Sequence, residues 1–165
     1  MTVGDAEQAV STLVHSLRLK HVRTTLVDFM AGDADPAVGT MTSGVWFSGH
    51  AIPESGVKVV GHVLADAPGG KDSKPRSRPR PTLGEVIFYA HVHVEGIWTL
   101  RDDAKLDASI LSNEPALKFF ASSTGRLNLY PYLRATVSGL CDSAQLQVPP
   151  LPPITFDPPS REGAG

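Results

Sequence analysis

The segment from Gly84 to Leu100 constrains the fold most, because it holds a two-residue side-chain alternation longer than any other strand-like stretch of the chain. Val86, Phe88, Ala90, Val92, Val94 and Trp98 take one parity; Glu85, Tyr89, His91, His93 and Glu95 take the other. Successive side chains of a strand point to opposite faces, so the pattern predicts one face in a core and one polar face. Gly96 interrupts the run and predicts a bulge or bend. Such a strand needs partners, and three further segments supply them. Leu17 to Phe29 sets Leu17, Leu19, Thr25, Val27 and Phe29 on one parity against Arg18, Lys20, Thr24 and Asp28. Ser43 to Ile52 sets Val45 and Phe47 against Trp46 and Ile52. Val57 to Ala65 follows the tight Pro53–Gly56 connection, which predicts an antiparallel hairpin.

Helical spacing takes over later in the chain. A helix is predicted from about Asn113 to Ser123, with Ser112 or Asn113 as cap, Pro115 in the first turn, and Leu117 and Phe120 one turn apart. Gly125 then sits where a helix would stop, and Pro131 where the next would start. The second helix, about Leu129 to Ser143, carries the stripe Leu129, Leu133, Val137 and Leu140, with Tyr130 and Tyr132 flanking the proline. Asp5 to Ser16 reads as a short N-terminal helix, and Leu106 to Leu111 fits neither pattern. Four strands followed by two helices argue an α+β fold with a four-stranded antiparallel sheet.

A chain of 165 residues fits one domain. Residues 1–16 form an N-terminal segment, 17–157 the domain and 158–165 a disordered tail. Gly32 to Gly39 reads as a loop. Residues 68–81 form a mobile loop without a hydrophobic side chain, carrying Lys71, Lys74, Arg76, Arg78 and Arg80 against Asp72. Val148 to Pro159 holds six prolines and must lie extended over a surface. The net charge of −2 points to neither nucleic acid nor membrane as partner; the 68–81 loop reads as a solvated hairpin extension, with a nucleic-acid or acidic-partner contact through its arginines as the alternative. The single cysteine, Cys141, excludes an internal disulfide and suits a reducing compartment. No apolar run spans a bilayer and the start of the chain lacks signal-peptide character, so a cytoplasmic location is expected.

Chemistry-bearing constellations are few. His91 and His93 form an H-x-H pair on one strand face, with His62 or Glu95 as a possible third ligand. A metal-dependent enzyme built on that pair is therefore one reading. Asp102 and Asp103 read as a solvated turn and Arg134 as a surface or ion-pair residue. No nucleophile elbow, paired-carboxylate motif or phosphate-cradling loop is present, and no cofactor is expected. The stronger feature is apolar excess. Val45 and Phe47 oppose Trp46 and Ile52, so both faces of one strand carry apolar groups that two helices cannot cover. Burial in a structural or adaptor oligomer is one outlet. A groove for unfolded polypeptide, together with oligomer burial, is the other.

The run NLYPYLRATVSGL (128–140), followed by VPPLPPITFD (148–157), resembles the C-terminal signature of the SecB export-chaperone family. The aromatic-Pro-Tyr-x-Arg start falls on Tyr130, Pro131, Tyr132 and Arg134. The proline-rich turn falls on Pro149, Pro150, Pro152 and Pro153, and the closing hydrophobic-x-Phe-Asp on Ile154, Phe156 and Asp157. The resemblance covers the last third by motif and the strands by pattern. It implies a homotetramer, a dimer of dimers, that holds non-native polypeptides in hydrophobic grooves without ATP. By that resemblance Trp46, Phe47, Ile52, Trp98, Leu151, Ile154 and Phe156 would line the client groove. Leu117, Phe119 and Phe120 would join tetramer contacts. Two departures bear on partners. The first strand carries Arg18, Lys20 and Arg23 with Asp28 its sole acid, where export members present an acidic sheet surface, which argues against docking the SecA translocase motor. The 68–81 loop is an insertion relative to compact members. The chain looks closer to the SecB-like chaperones of toxin–antitoxin systems, which protect an antitoxin segment.

Overall fold

The computed structural model describes residues 3–32, 42–53, 55–68, 80–102, 104–146 and 151. All but Gly32 of the loop expected at 32–39, most of the basic 68–81 stretch, most of the proline-rich crossing segment with Ile154 and Phe156, and the 158–165 tail lie outside them.

Helix α1 (Val3–Ser16) runs directly into strand β1 (Leu17–Ala31). Strands β2 (Thr42–Ile52), β3 (Gly56–Pro68) and β4 (Val86–Leu100) follow. The four form one antiparallel sheet in the order β1-β4-β3-β2. Helices α2 (Ala108–Leu111), α3 (Glu114–Phe120) and α4 (Arg126–Ser143) come last, with a π turn, Ala121–Gly125, between the final two.

The alternation predicted for Gly84–Leu100 holds in β4. Val86, Phe88, Ala90, Val92, Val94 and Trp98 are buried, with Val57, Val59, Val63 and Ala65 of β3 beside them on the same face. Their exclusion from water supplies the main favourable term for the fold. Helices α3 and α4 cover this inner face through Leu117, Phe120, Leu129, Leu133 and Val137.

Four local expectations need correction. Gly125 does not end a helix: its φ is −60°, and the chain continues in right-handed helical conformation into Arg126. The glycine serves close approach instead. A Cβ there would lie 2.7 Å from a methyl of Val59. A five-residue hydrogen bond from Arg126 N–H to the Ala121 carbonyl closes the π turn. Ser122 and Ser123 hydroxyls donate to the Phe119 carbonyl at 3.1 and 2.7 Å, so a serine cluster that reads as a helix end supports the continuous run. Pro131 lies inside α4 rather than at its start, on the solvent side, where the carbonyl it leaves without a donor can turn to water.

Gly96 marks no bulge in β4, whose pairing with β3 is regular across it. Its bare Cα makes room for Leu129 and the Trp98 ring. Two irregularities sit on β1, between Leu19 and His21 and between Thr24 and Leu26, and a third falls where Ala67 and Pro68 of β3 meet Phe88 and Val86 at the start of β4. Each β1 bulge flips the alternation, and the second undoes the first. Leu17, Leu19, Val27 and Phe29 therefore share the inner face as expected, while Val22 takes it in between and Thr25 falls in a bulge.

Candidate functional site

Among the described residues no helix covers the outer face of the sheet, and most of the chain's histidines gather there. In the strand registers, His21, His50, His62, His91 and His93 all point to this side, leaving only His15, on α1, elsewhere. Four of them form a continuous belt across β2, β3 and β4. Trp46 stacks on His62 with centroids 5.0 Å apart and planes 2° from parallel. His62 meets the His93 ring edge-on at 4.3 Å, and His93 meets His91 at 4.6 Å. The Nε2 atoms of His91 and His93 lie 2.9 Å apart, within hydrogen-bond distance, with the donor set by the tautomers. Ser48 Oγ lies 3.4 Å from His62 Nε2 and 3.2 Å from His50 Nε2. Burial, then the neighbouring His93, His91 and His50, lowers the His62 pKa to about 4, so the ring is neutral at ordinary pH. Its Nδ1 is buried and has no hydrogen-bond partner among the described residues.

Glu95 closes the end of the same face. Arg23 reaches its carboxylate at 2.7 Å and Lys58 at 3.8 Å, which keeps this buried acid paired. It is thereby occupied as an ion-pair partner rather than turned to the histidine pair. Among the described residues, no group of three or more His, Cys, Asp or Glu is placed to hold a metal ion.

The structure divides the sequence-predicted client residues between two faces. Trp46, 42 % exposed, and Ile52 lie on the outer face. Phe47 lies on the inner face, half-buried beside Gly61. Trp98 is 3 % exposed, packed edge-on against Phe120 with centroids 5.6 Å apart, and Leu151 is 1 % exposed within the core. Ile154 and Phe156 fall outside the described residues. No single groove within one chain brings the described members together. Of the three residues assigned to oligomer contacts, Leu117 and Phe120 pack into the chain's own core, whereas Phe119 is 59 % exposed.

Sequence reasoning gave no client or interface role to the other exposed apolar groups: Val14, Leu26, Val27, Leu83, Leu127 and Tyr132. Val27 is the most informative. It faces inward opposite Val92 yet remains 47 % exposed, because the helical layer stops short of the outer part of β1. Period-two reading gives the face of such a residue but not whether anything covers it.

No protein-family model and no curated protein sequence matches the chain. Among solved structures, it is similar to the Mycobacterium tuberculosis SecB-like chaperone Rv1957, determined in complex with a ChAD peptide from the Rv1956 HigA1 antitoxin. The match has a TM-score of 0.57 at 18 % identity and covers 92 % of this chain and 99 % of that one. A four-stranded antiparallel sheet followed by helices, matched over nearly the whole of both chains, is the SecB-like fold.

Proposed function

We propose that this chain is an ATP-independent chaperone that holds extended or non-native polypeptide on exposed apolar surface and so prevents its aggregation. The observation that carries the reading is the near-complete structural match to a SecB-like chaperone solved with a bound antitoxin peptide. The exposed Trp46, Val27, Phe119, Leu127 and Tyr132 are consistent with it, since each offers apolar surface that a client or a second copy would cover. A client segment of an antitoxin fits the same chemistry. Docking of an export motor fits less well, because Arg18, Arg23 and Lys58 leave the outer face without the acidic character such docking would use.

Assembly into a dimer of dimers belongs to the proposal. Phe119 is the interface residue that a second chain can reach directly; Leu117 and Phe120 would act by fixing the helix that presents it. Each apolar client side chain buried contributes about 1.5–3 kcal/mol. Ordering costs are comparable, so one site binds weakly and several on one assembly bind by avidity.

The test is light scattering of an unfolded client diluted from denaturant. Suppression of aggregation at less than one assembly per client is expected; no suppression across several unrelated clients would overturn the reading. Trp46→Ala combined with Phe47→Ala should weaken client binding about tenfold while the oligomer survives, measured by anisotropy titration and native mass spectrometry.

A further inference from the structure

His91 and His93 stand near the middle of β4, a strand paired on both sides. Val92 between them is fully buried on the inner face, which fixes the backbone that carries the pair. Two residues apart on a strand, both imidazoles rise from the outer face, where no helix covers them among the described residues. Their Nε2 atoms lie 2.9 Å apart, and the rings cross at 82°. His62, opposite His93 in the register, packs edge-on against that ring and restrains it. The carboxylates beside the pair are already engaged: Asp28, opposite His91, with Arg80 at 2.9 Å, and Glu95 with Arg23 and Lys58. Two ring nitrogens therefore meet on an accessible face.

We propose that His91 and His93 together chelate one divalent transition-metal cation of tetragonal preference, copper(II) before nickel(II), with water in its remaining positions. The separation of the nitrogens selects that class. An imidazole nitrogen sits about 2.0 Å from a first-row cation. Two at right angles, as on a tetragonal ion, stand about 2.8 Å apart; at the tetrahedral angle that zinc takes, about 3.3 Å. The 2.9 Å between His91 and His93 fits the first. Turning each ring about its Cβ–Cγ bond aims both lone pairs at a common point. The ring that donates the hydrogen bond moves its proton to Nδ1, so both ligate as neutral imidazoles and no net proton is lost. No third His, Cys, Asp or Glu joins the pair among the described residues, which makes the site weak and exchangeable. Chelation here needs neither a client nor an assembly, so it is independent of the chaperone reading.

Titration of the full chain with copper(II) chloride, in a buffer containing glycine as a weak competitor, tests the proposal. One copper ion per chain should bind, and its paramagnetic resonance spectrum should be tetragonal. Spin-echo modulation should then count two imidazole nitrogens on the ion. His91→Gln and His93→Gln should each weaken binding at least tenfold and leave one imidazole in the modulation. His50→Gln and His15→Gln should leave affinity and spectrum unchanged. The modulation of the unsubstituted chain decides the matter even where a substitution disturbs the folding of the sheet. Absence of binding, fewer than two imidazoles on the ion, or a loss as large in His15→Gln as in His93→Gln overturns the proposal. Zinc(II) bound as tightly as copper(II) overturns the tetragonal assignment.

Discussion

On the inner side of the sheet, Gly49 leaves just enough room for the Leu117 carbonyl: a Cβ there would come within 2.6 Å of it. On the outer side, one residue away in β2, Ser48 and then Trp46 stand over a belt of imidazoles with no helix above them among the described residues. The same strands therefore carry two surfaces. The inner one is carved to fit a particular helix, with Gly125 over Val59 and Gly96 beneath Leu129. The outer one is a polar–aromatic layer whose groups hydrogen-bond among themselves. Stability should reside in the first, and capacity to meet a partner in the second and at the uncovered rims.

The largest effect that sharpens this contrast comes from two adjacent phenylalanines. Phe120 is fully buried against Trp98, and Phe120→Ala should cost about 3–5 kcal/mol in chemical denaturation. Phe119→Ala, at an exposed position, should change the dissociated chain by less than about 0.5 kcal/mol. Equal costs would break the division between packed core and uncovered rim.

Next come the glycines. Gly49→Ala should destabilise by about 3 kcal/mol, because the Leu117 carbonyl is backbone and cannot rotate away. Gly125→Ala is a more discriminating change. Alanine favours the helix by about 1 kcal/mol, yet its methyl meets Val59 Cγ1 at 2.7 Å, so a net loss of about 1–2 kcal/mol is expected. Combining it with Val59→Ala should recover part of that loss. Strict additivity in the double-mutant cycle would show that the two residues do not touch.

Gly125 also shows where local reading of the chain stops. A glycine after a serine pair and before a proline carries the local marks of a helix end, and nothing nearby contradicts them. What overrides them is tertiary: the separation between helix and sheet at Val59. Strand β4 was legible because its alternation and its burial have one cause, a face turned to the core. The middle of β1 was not, since two bulges depend on pairing with β4 and leave no mark in its own residues. Among candidate site residues, Trp46 and Trp98 look equivalent by composition. Their parity relative to the helices separates them, and only the register supplies that.

The outer face should respond to acid. His62 is held neutral in the folded chain, with its pKa at about 4 against an ordinary 6.5. The unfolded chain therefore takes up a proton first as pH falls. Stability is full above about pH 6.5 and declines between there and about pH 4. One proton gives at most about 1.4 kcal/mol per pH unit, and less here because the ring keeps some solvent contact. His62→Gln should flatten that slope in a pH series of urea melts; an unchanged slope would assign the acid sensitivity to other groups.

The smallest change tests whether the stacked indole is what holds His62 neutral. Trp46 is exposed enough that Trp46→Ala should cost less than about 1 kcal/mol at neutral pH. The indole nevertheless covers one face of the imidazole, and burial is the leading cause of its low pKa. Removing it should rehydrate the ring and move its folded pKa up toward the ordinary value. The acid-side decline in stability should then shrink, so the variant should be relatively better off at pH 5 than at pH 7. Histidine titration by NMR reads the shift directly. If the His62 pKa stays near 4 in Trp46→Ala, repulsion from His93, His91 and His50 outweighs burial, and the belt of imidazoles rather than the tryptophan sets the chemistry of this face.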